Sequence, residues 1–527
     1  MSRVLISFIV IAVGFVSFSN ASRILCIFPY PSRSHQIAVQ HIVDELLNRG
    51  HELVVFTPFP KNDSSIKNYT EISLSYLVPI LRDNTNFVQI NRMGYYTFLK
   101  KVYHFCDYTV DNVLSSPEMK KLIAPDSNEK FDLIIIQSVF YHAFFALSAR
   151  FNAPVIGIST VALFLQLHLS MGNPLMLAYS PHLLLNSMDE NSLSDRMWNI
   201  YYTVRGIYDL YTIEIPNQNR LVRKHFGDDM PSVDVLWKNM SVVMVTINPM
   251  FQFPRPNVPG IIDIGGFRFK NKKTNAPADL KKLLDNAQSG VIYFSLGSNV
   301  KSVDLPIETR NVLLNAFSEL PYTILWKFES DEFLNKPDNV IIRKWFPQQA
   351  ILAHPNVKAF ISQGGMQSIE ESIENKVPIV CMPVISDQFY NSRRIEEFGM
   401  SKTLNLFSIE KDTLKSVIQE VVTNPKYKKN TERVRELMND LPHDQLNHTM
   451  WWIEYVIRHK GAHHLQCKGR HMPWYQVELV DIFAIALLVL FASIYILFAV
   501  LRYIFRKLIR SNEQSKVETE KRSKKHD

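Results

Sequence analysis

WFPQQAILAHPNVKAFISQGGMQSIEESIENKVPIVCMPVISDQ, residues 345–388, is the stretch whose reading decides the fold. An apolar β run from Lys358 to Ser362 meets a Gly364–Gly365 turn, and helical spacing opens at Met366. A second apolar run, Pro378 to Pro383, leads to Asp387 and Gln388. Strand, glycine turn and helix in alternation are the pattern of a helix-covered parallel sheet. The same pattern makes an anion site, because the first turn of a helix leaves backbone N–H groups without partners and carries the positive end of the dipole. Trp345 offers a ring for a base, Glu371 an acceptor for ribose hydroxyls, and Asp387 with Gln388 two groups for a sugar. Together they suit a nucleotide sugar.

These residues resemble the signature of the UDP-glycosyltransferase family, in particular its insect-type members, and all 44 positions align with it without a gap. The resemblance implies an α/β fold of the GT-B type, two doubly wound Rossmann-like lobes with a cleft between them. It further implies that Trp345 stacks on uracil and Gln348 bonds that base or its ribose. Gln363, Gly365, Gln367 and Ser368 would flank the pyrophosphate, helped by Ser295, Gly297 and Ser298 of the Phe294–Ser298 turn. Glu371 would hold the ribose, with the adjacent Glu370 a solvated charge, and Asp387 and Gln388 would fix sugar hydroxyls. Gln363 stands where many relatives carry histidine; it can donate an N–H to phosphate but brings no charge. A carboxylate at 387 suits a neutral hexose better than a glucuronate. The expected donor is therefore UDP-glucose or another UDP-hexose, with no cofactor beside it.

Working outward, Arg23 to Pro29 is predicted as a strand, Ser34 to Arg49 as a helix ended by Gly50, and Glu52 to Thr57 as the next strand. Phe131 to Ile136 and Pro154 to Ile158 are further buried runs around a helix from about Tyr141 to Arg150. Past a lysine-rich stretch the pattern restarts, with strands at 291–295, 322–328, 340–345, 357–362 and 378–382 and a helix from Pro306 to Glu319. The expected organisation is a signal peptide at 1–21, an acceptor-binding lobe at 22–270, a linker at 271–285 and a UDP-sugar-binding lobe at 286–445. A return helix and juxtamembrane segment (446–476), a transmembrane helix (477–501) and a basic tail (502–527) follow.

Moving a sugar from UDP to a hydroxyl needs a base that takes the acceptor's proton as its oxygen attacks C1 from the face opposite UDP, which inverts the anomeric centre. Histidine suits this because its ordinary pKa, about 6.5, leaves it mostly neutral. His35, in PYPSRSHQ, follows the first strand, where doubly wound folds place their chemistry. The resemblance makes it the catalytic base. The carboxylate expected to orient it would end the Phe131–Ile136 strand, but the next residue is Gln137, which can hold the ring without offsetting its charge. Asp132 sits at the wrong end of that strand, and His142 reads as a core or surface histidine. Gln137 admits a sluggish enzyme suited to acidic phenols, a substitute carboxylate in space, or a chain that binds a UDP-sugar, as a partner subunit for instance, without turning it over.

At 527 residues, 46% hydrophobic and 20% charged, the chain is globular and large enough for two lobes. Its net charge of +8 does not point to nucleic acid, since Arg502 to Asp527 holds nine Lys/Arg against four Asp/Glu. Met1 to Ala21 reads as a secretory signal. Ile482 to Leu501 is uncharged and long enough to cross a bilayer, and the Arg502, Arg506, Lys507 and Arg510 that follow place the tail in the cytosol. The expected protein is thus a single-pass type I protein of the endoplasmic reticulum membrane with a lumenal body. Sequons at Asn62, Asn68, Asn239 and Asn447 fit that side, as does a dilysine-like end, Lys524-Lys525-His526-Asp527. Cys26, Cys106, Cys381 and Cys467 are too few for a disulfide framework, and no spacing suggests a metal. The expected acceptor is a small lipophilic molecule, in detoxification or metabolite conjugation, with Tyr95 to Tyr108 and Phe140 to Phe145 lining its pocket. Association with itself or with a partner chain is left open.

Overall fold

The computed structural model describes residues 21–523 except 92, 94, 183, 184, 186–188, 253, 267–275 and 332–335. Residues 1–20 of the expected signal, 271–275 of the linker and the 524–527 end lie outside the described residues.

Two parallel sheets carry the fold. The first contains β1 (Arg23–Ile27), β2 (Glu52–Thr57), β3 (Tyr69–Ser73), β4 (Leu133–Gln137), β5 (Val155–Ser159), β6 (Val242–Val245) and β7 (Ile261–Asp263), in the order β3-β2-β1-β4-β5-β6-β7. The second contains β8 (Val291–Ser295), β9 (Thr323–Lys327), β10 (Val340–Arg343), β11 (Val357–Ser362), β12 (Ile379–Cys381) and β13 (Ser401–Thr403), in the order β10-β9-β8-β11-β12-β13. Every neighbouring pair is parallel. Both sheets contain the 3-2-1-4-5-6 order of a doubly wound fold, so the expected pair of Rossmann-like lobes is present. The central strands are apolar up to their last residue because helices cover both faces; β4 (LIIIQ) and β8 (VIYFS) are buried along their whole length.

In such sheets the order reverses on either side of the first strand, and the loops leaving the two diverging strands open a crevice. In the first lobe those strands are β1 and β4, in the second β8 and β11. His35 follows β1, Gln137 ends β4, Gly297 follows β8 and Gly364 follows β11. The topology thus sets the four loops singled out in the sequence at the two crevices.

The residues up to Cys467 form one compact unit and Lys468–Asp527 a second. In the first, the Gln445–Arg458 helix returns to the first lobe and buries Met450, Ile453 and Val456 among Ile24, Ile42 and Val55. Arg49 Nη1 meets Glu454 at 3.0 Å on the same contact. Ala278–Asn286, inside the expected linker, is a helix that buries Leu280 and Leu284 with Val291 and Phe360 of the second lobe. In the second unit, the Val480–Ser523 helix contains a segment long and apolar enough to cross a membrane.

Candidate active site

Between the lobes lies a cavity of about 200 Å³. From the first lobe it is lined by Arg33, Ser34, His35, Ile37, Thr160, Val161 and Ile247. From the second it takes Ser295, Gly297, Ser298, Trp345, Gln348, Gln363, Gly365, Gln367, Ser368, Glu371, Asp387 and Gln388, together with Asn299 and Lys327. Every donor residue singled out in the sequence therefore lines one cavity with His35. Gln137 does not.

The glycine turns are shaped as their positions demand. Gly364 has φ +82°, and a Cβ there would stand 2.3 Å from Ser392 Oγ. Gly297 has φ +80°, and a Cβ would stand 2.2 Å from Gln363 Nε2. Only glycine meets both constraints. Gly365 then caps the Met366–Glu374 helix, whose first residues, Met366, Gln367 and Ser368, line the cavity. Asn391 Nδ2 donates to Gly364 O at 3.1 Å, fixing the turn from the opposite side.

Trp345 is 61% exposed, so it is no core aromatic; Lys327 Nζ lies over its ring, 5.7 Å from the centroid, and both residues line the cavity. Glu371 accepts from Gln348 Nε2 at 2.6 Å and Gln349 Nε2 at 3.0 Å, and Gln348 also donates to Ser368 Oγ at 3.0 Å. The amides hold the carboxylate in one orientation. Glu370, expected as a solvated charge, is instead fully buried. The reason is that residues 368–373 are covered on every side of this helix, which is sandwiched in the lobe rather than lying on it.

Asp387 opens the Asp387–Glu397 helix, and its carboxyl is pushed up to about 6 by burial, against the opposing hydrogen bond from Asn391 Nδ2 at 3.0 Å. Ser386 before it has φ +57°, a strained setting for a residue with a side chain. Gln388 spends its carbonyl on the loop, accepting from Val384 N at 2.9 Å and Ile385 N at 3.0 Å, so its amide N–H groups are what it can offer a ligand.

On the first lobe, His35 lies in the first turn of the Arg33–Asn48 helix. Its Nδ1 is 2.5 Å from Thr160 Oγ1, and Gln137 Nε2 donates to that same hydroxyl at 3.2 Å. Gln137 Oε1 accepts from Tyr30 N at 3.3 Å, which fixes the amide with its nitrogen toward Thr160. Gln137 thus reaches His35 through a hydroxyl, where the sequence reading had it beside the ring. The Tyr30 ring stacks obliquely on the imidazole, with centroids 4.5 Å apart. Thr160 escaped the sequence reading because it lies 125 residues from His35. Adjacent pairing of β1, β4 and β5 alone brings the ends of all three strands together. Arg33, Lys327 and Asn299 were missed likewise; Ser32 Oγ bonds Asn299 Oδ1 at 3.0 Å across the lobes.

Asp132 is structural, accepting from Arg23 N at 2.8 Å. His142 is a core residue with a partner, its Nε2 2.6 Å from Glu214 Oε1 and its ring edge-on to Trp237. It lines a narrow apolar cleft with Phe140, Phe145, Phe164, Leu167 and Trp237. Phe140 to Phe145 therefore does border a cleft. Among the described side chains of Tyr95 to Tyr108, none lines it: the segment is helical and packs Tyr103 and Cys106 into the first core.

The family model described as UDP-glucoronosyl and UDP-glucosyl transferase matches residues 24–515. UDP-glucosyltransferase 2 of Dactylopius coccus is 32% identical over 507 residues, covering 94% of each chain. UDP-glycosyltransferase UGT5 of the same insect is 30% identical over 502 residues, covering 92% of each. Among solved structures, the kitacinnamycin glycotransferase superposes with a TM-score of 0.56 at 17% identity, over 83% of this chain and 99% of its own, which shows the shared fold. With the model spanning nearly the whole chain, the protein belongs to the UDP-glucoronosyl and UDP-glucosyl transferase family and transfers a sugar from a UDP-sugar to an acceptor.

Proposed function

We propose that the sugar is glucose, the acceptor a hydroxyl of a small lipophilic molecule, and His35 the base, in an enzyme anchored in the endoplasmic reticulum membrane with its body in the lumen. One observation carries the reading: the twelve donor candidates and His35 line a single cavity between the two crevices. Uracil stacks on exposed Trp345, Glu371 takes the ribose hydroxyls, and the pyrophosphate meets the Gly297 and Gly365 turns. As the acceptor oxygen attacks C1, its proton passes to the imidazole and the C1–O bond to UDP breaks with inversion. The departing charge is met by turn amides and the helix dipole. The scheme calls on no cofactor.

Asp387 argues for glucose. Its carboxyl titrates near 6, so at neutral pH it is mostly ionised, which suits hydroxyls and repels a glucuronate. Arg33, an exposed cation lining the same cavity, favours the second reading, glucuronate. For the anchor, the Val480–Thr519 segment and the basic residues that follow Leu501 agree. Asn62, Asn68 and Asn239 are exposed, as lumenal glycosylation requires.

Microsomes carrying the protein, supplied with UDP-glucose, UDP-glucuronate and UDP-galactose and a panel of phenols and aliphatic alcohols, test this. Glucoside formation at the highest kcat/KM is expected. Preferred glucuronide formation would transfer the argument from Asp387 to Arg33, and no product from any pair, with UDP still bound, would reduce the chain to a sugar-nucleotide binder.

A further inference from the structure

One face of the Gln445–Arg458 helix sets an exposed amide one turn before an exposed ring. Asp444 caps this helix by accepting from Asn447 N at 2.9 Å, and Thr449, Met450, Ile453 and Val456 form its buried side. Asn447, which opens the sequon Asn447-His448-Thr449, is exposed. Its Oδ1 accepts from Arg49 Nη2 at 2.7 Å, which fixes the amide with its oxygen toward Arg49 and Nδ2 away from it. Trp451, four residues on, is 47% exposed. Residues at i and i+4 share a face with Cβ atoms about 5–6 Å apart, and a helical side chain covers the turn before its own Cα. Neighbouring pairs show that reach. Trp452 Nε1 donates to His448 Nε2 at 3.2 Å, and Tyr455 stacks on Trp451 with centroids 5.0 Å apart and 30° between the planes. By the same geometry the Trp451 ring, backed by Tyr455, extends toward Asn447.

We propose that Asn447 carries an N-linked glycan whose first N-acetylglucosamine lies on the Trp451 ring. The inference rests on the reading of the body as lumenal and adds to it a docked sugar at one sequon. C1 of that sugar bonds Nδ2 in place of one amide hydrogen, which leaves with the pyrophosphate of a lipid-linked donor. The substituted amide keeps its oxygen, so the bond from Arg49 survives the modification. The C–H face of a pyranose carries slight positive charge and suits the negative face of an indole. Thr449 sets the timing: its hydroxyl is buried and donates to Gln445 O at 2.7 Å, so the sequon is accessible only before this helix docks. The sugar would stand over a junction that matters to the reaction. Arg49 caps the Arg33–Asn48 helix, whose first turn holds His35, and it also bonds Glu45 and Glu454 at 3.0 Å each. A glycan resting on Trp451 would thus pin the return helix to the helix that positions the base.

The test uses the full chain in microsomes, read by mass spectrometry of its sequons and by the midpoint temperature at which UDP binding is lost. Carbohydrate is expected at Asn447. None at any of the four sequons would remove the lumenal reading and this inference together. Carbohydrate at Asn62, Asn68 or Asn239 with Asn447 bare would overturn the inference alone. With Asn447 occupied, Trp451→Leu should lower the midpoint by about 2 °C, and by nothing measurable in an Asn447→Gln background. A loss equal in both backgrounds, or absent from both, would refute the docking. If Trp451→Leu does not accumulate, a chain with Asn62, Asn68 and Asn239 each changed to Gln replaces it. Trimming its remaining glycan to one N-acetylglucosamine should leave the midpoint in place, and making the same chain with glycosylation blocked should lower it. A midpoint lost already on trimming, or indifferent to the block, would overturn the proposal.

Discussion

The isosteric change Gln137→Glu tests how the catalytic imidazole is held. Gln137 now donates to Thr160 Oγ1, because Tyr30 N occupies its oxygen. The Thr160 oxygen keeps a second lone pair, so Thr160 can either accept from His35 Nδ1–H, which leaves Nε2 bare as the base, or donate to Nδ1, which puts the ring proton on Nε2 and takes the base away. A glutamate would accept from both Tyr30 N and the Thr160 hydroxyl. Thr160 oxygen would then accept from Nδ1–H, and Nε2 would be bare. The new carboxylate would stand roughly 5–6 Å from the imidazolium, an attraction of about 3 kcal/mol at an effective dielectric of about 20. Burial of the carboxylate at a site only 1% exposed offsets part of this. A net gain of about 1–2 kcal/mol predicts a five- to thirtyfold rise in kcat. The acidic limb of the kcat/KM profile should move to higher pH by about one unit, since a nearby negative charge favours the protonated ring. The assay is steady-state glycosylation of a phenol across pH 5–9, in the wild-type and Thr160→Val backgrounds. An unchanged rate in a folded Gln137→Glu enzyme, or a gain that survives Thr160→Val, would refute the hydroxyl relay.

Thr160→Val alone should lower kcat about ten- to a hundredfold, with the KM for the UDP-sugar little changed, because it orphans Gln137 and Nδ1 and leaves the donor side intact. Trp345→Ala should raise the donor KM about tenfold without altering thermal stability, since loss of stacking is worth about 1–3 kcal/mol and the ring is exposed. Gly364→Ala should abolish donor binding and lower the melting temperature; Ser392→Ala in combination should restore only part, as it relieves the contact but not the positive φ. For Asp387 the carboxyl is raised from its ordinary 3.8 to about 6, so the donor KM should rise as pH falls from 7 to 5, and Asp387→Asn should flatten that dependence. A raised carboxyl pKa costs stability once ionised: the favourable contribution is present below pH about 4 and lost as pH climbs through about 6. Asp387→Asn should accordingly stabilise the protein at pH 8, by at most about 2–3 kcal/mol in urea unfolding.

The donor lobe was legible because its chemistry sits in one continuous stretch. β8 and β11 have the expected bounds, and the helix at Met366 begins where the glycine turn ends. Burial was the part that spacing did not reveal: Glu370 shows the charge of a solvated residue but lies in a helix covered on all sides. In the first lobe the site is assembled from three strand ends, two of which contribute residues more than a hundred positions from His35. His35 could be found from its place after a strand, whereas Thr160 acquires a role only once β1, β4 and β5 are known to be adjacent. Four strands escaped notice. β3 reads YTEIS and is half-exposed at an edge, β7 and β13 are three residues long, and β6 is a buried apolar run, VVMV, of only four residues with no turn residues marked around it in the sequence reading.

The account turns on a division of labour across the cavity, donor binding on the second lobe and proton removal by His35 on the first. His35→Ala, measured both for UDP-glucose dissociation at equilibrium and for turnover with a phenolic acceptor, separates the two. The expected result is a fall in kcat of about 10²–10⁴ with a dissociation constant unchanged within about threefold. Turnover retained near the wild-type rate in a protein that still binds UDP-glucose would contradict it.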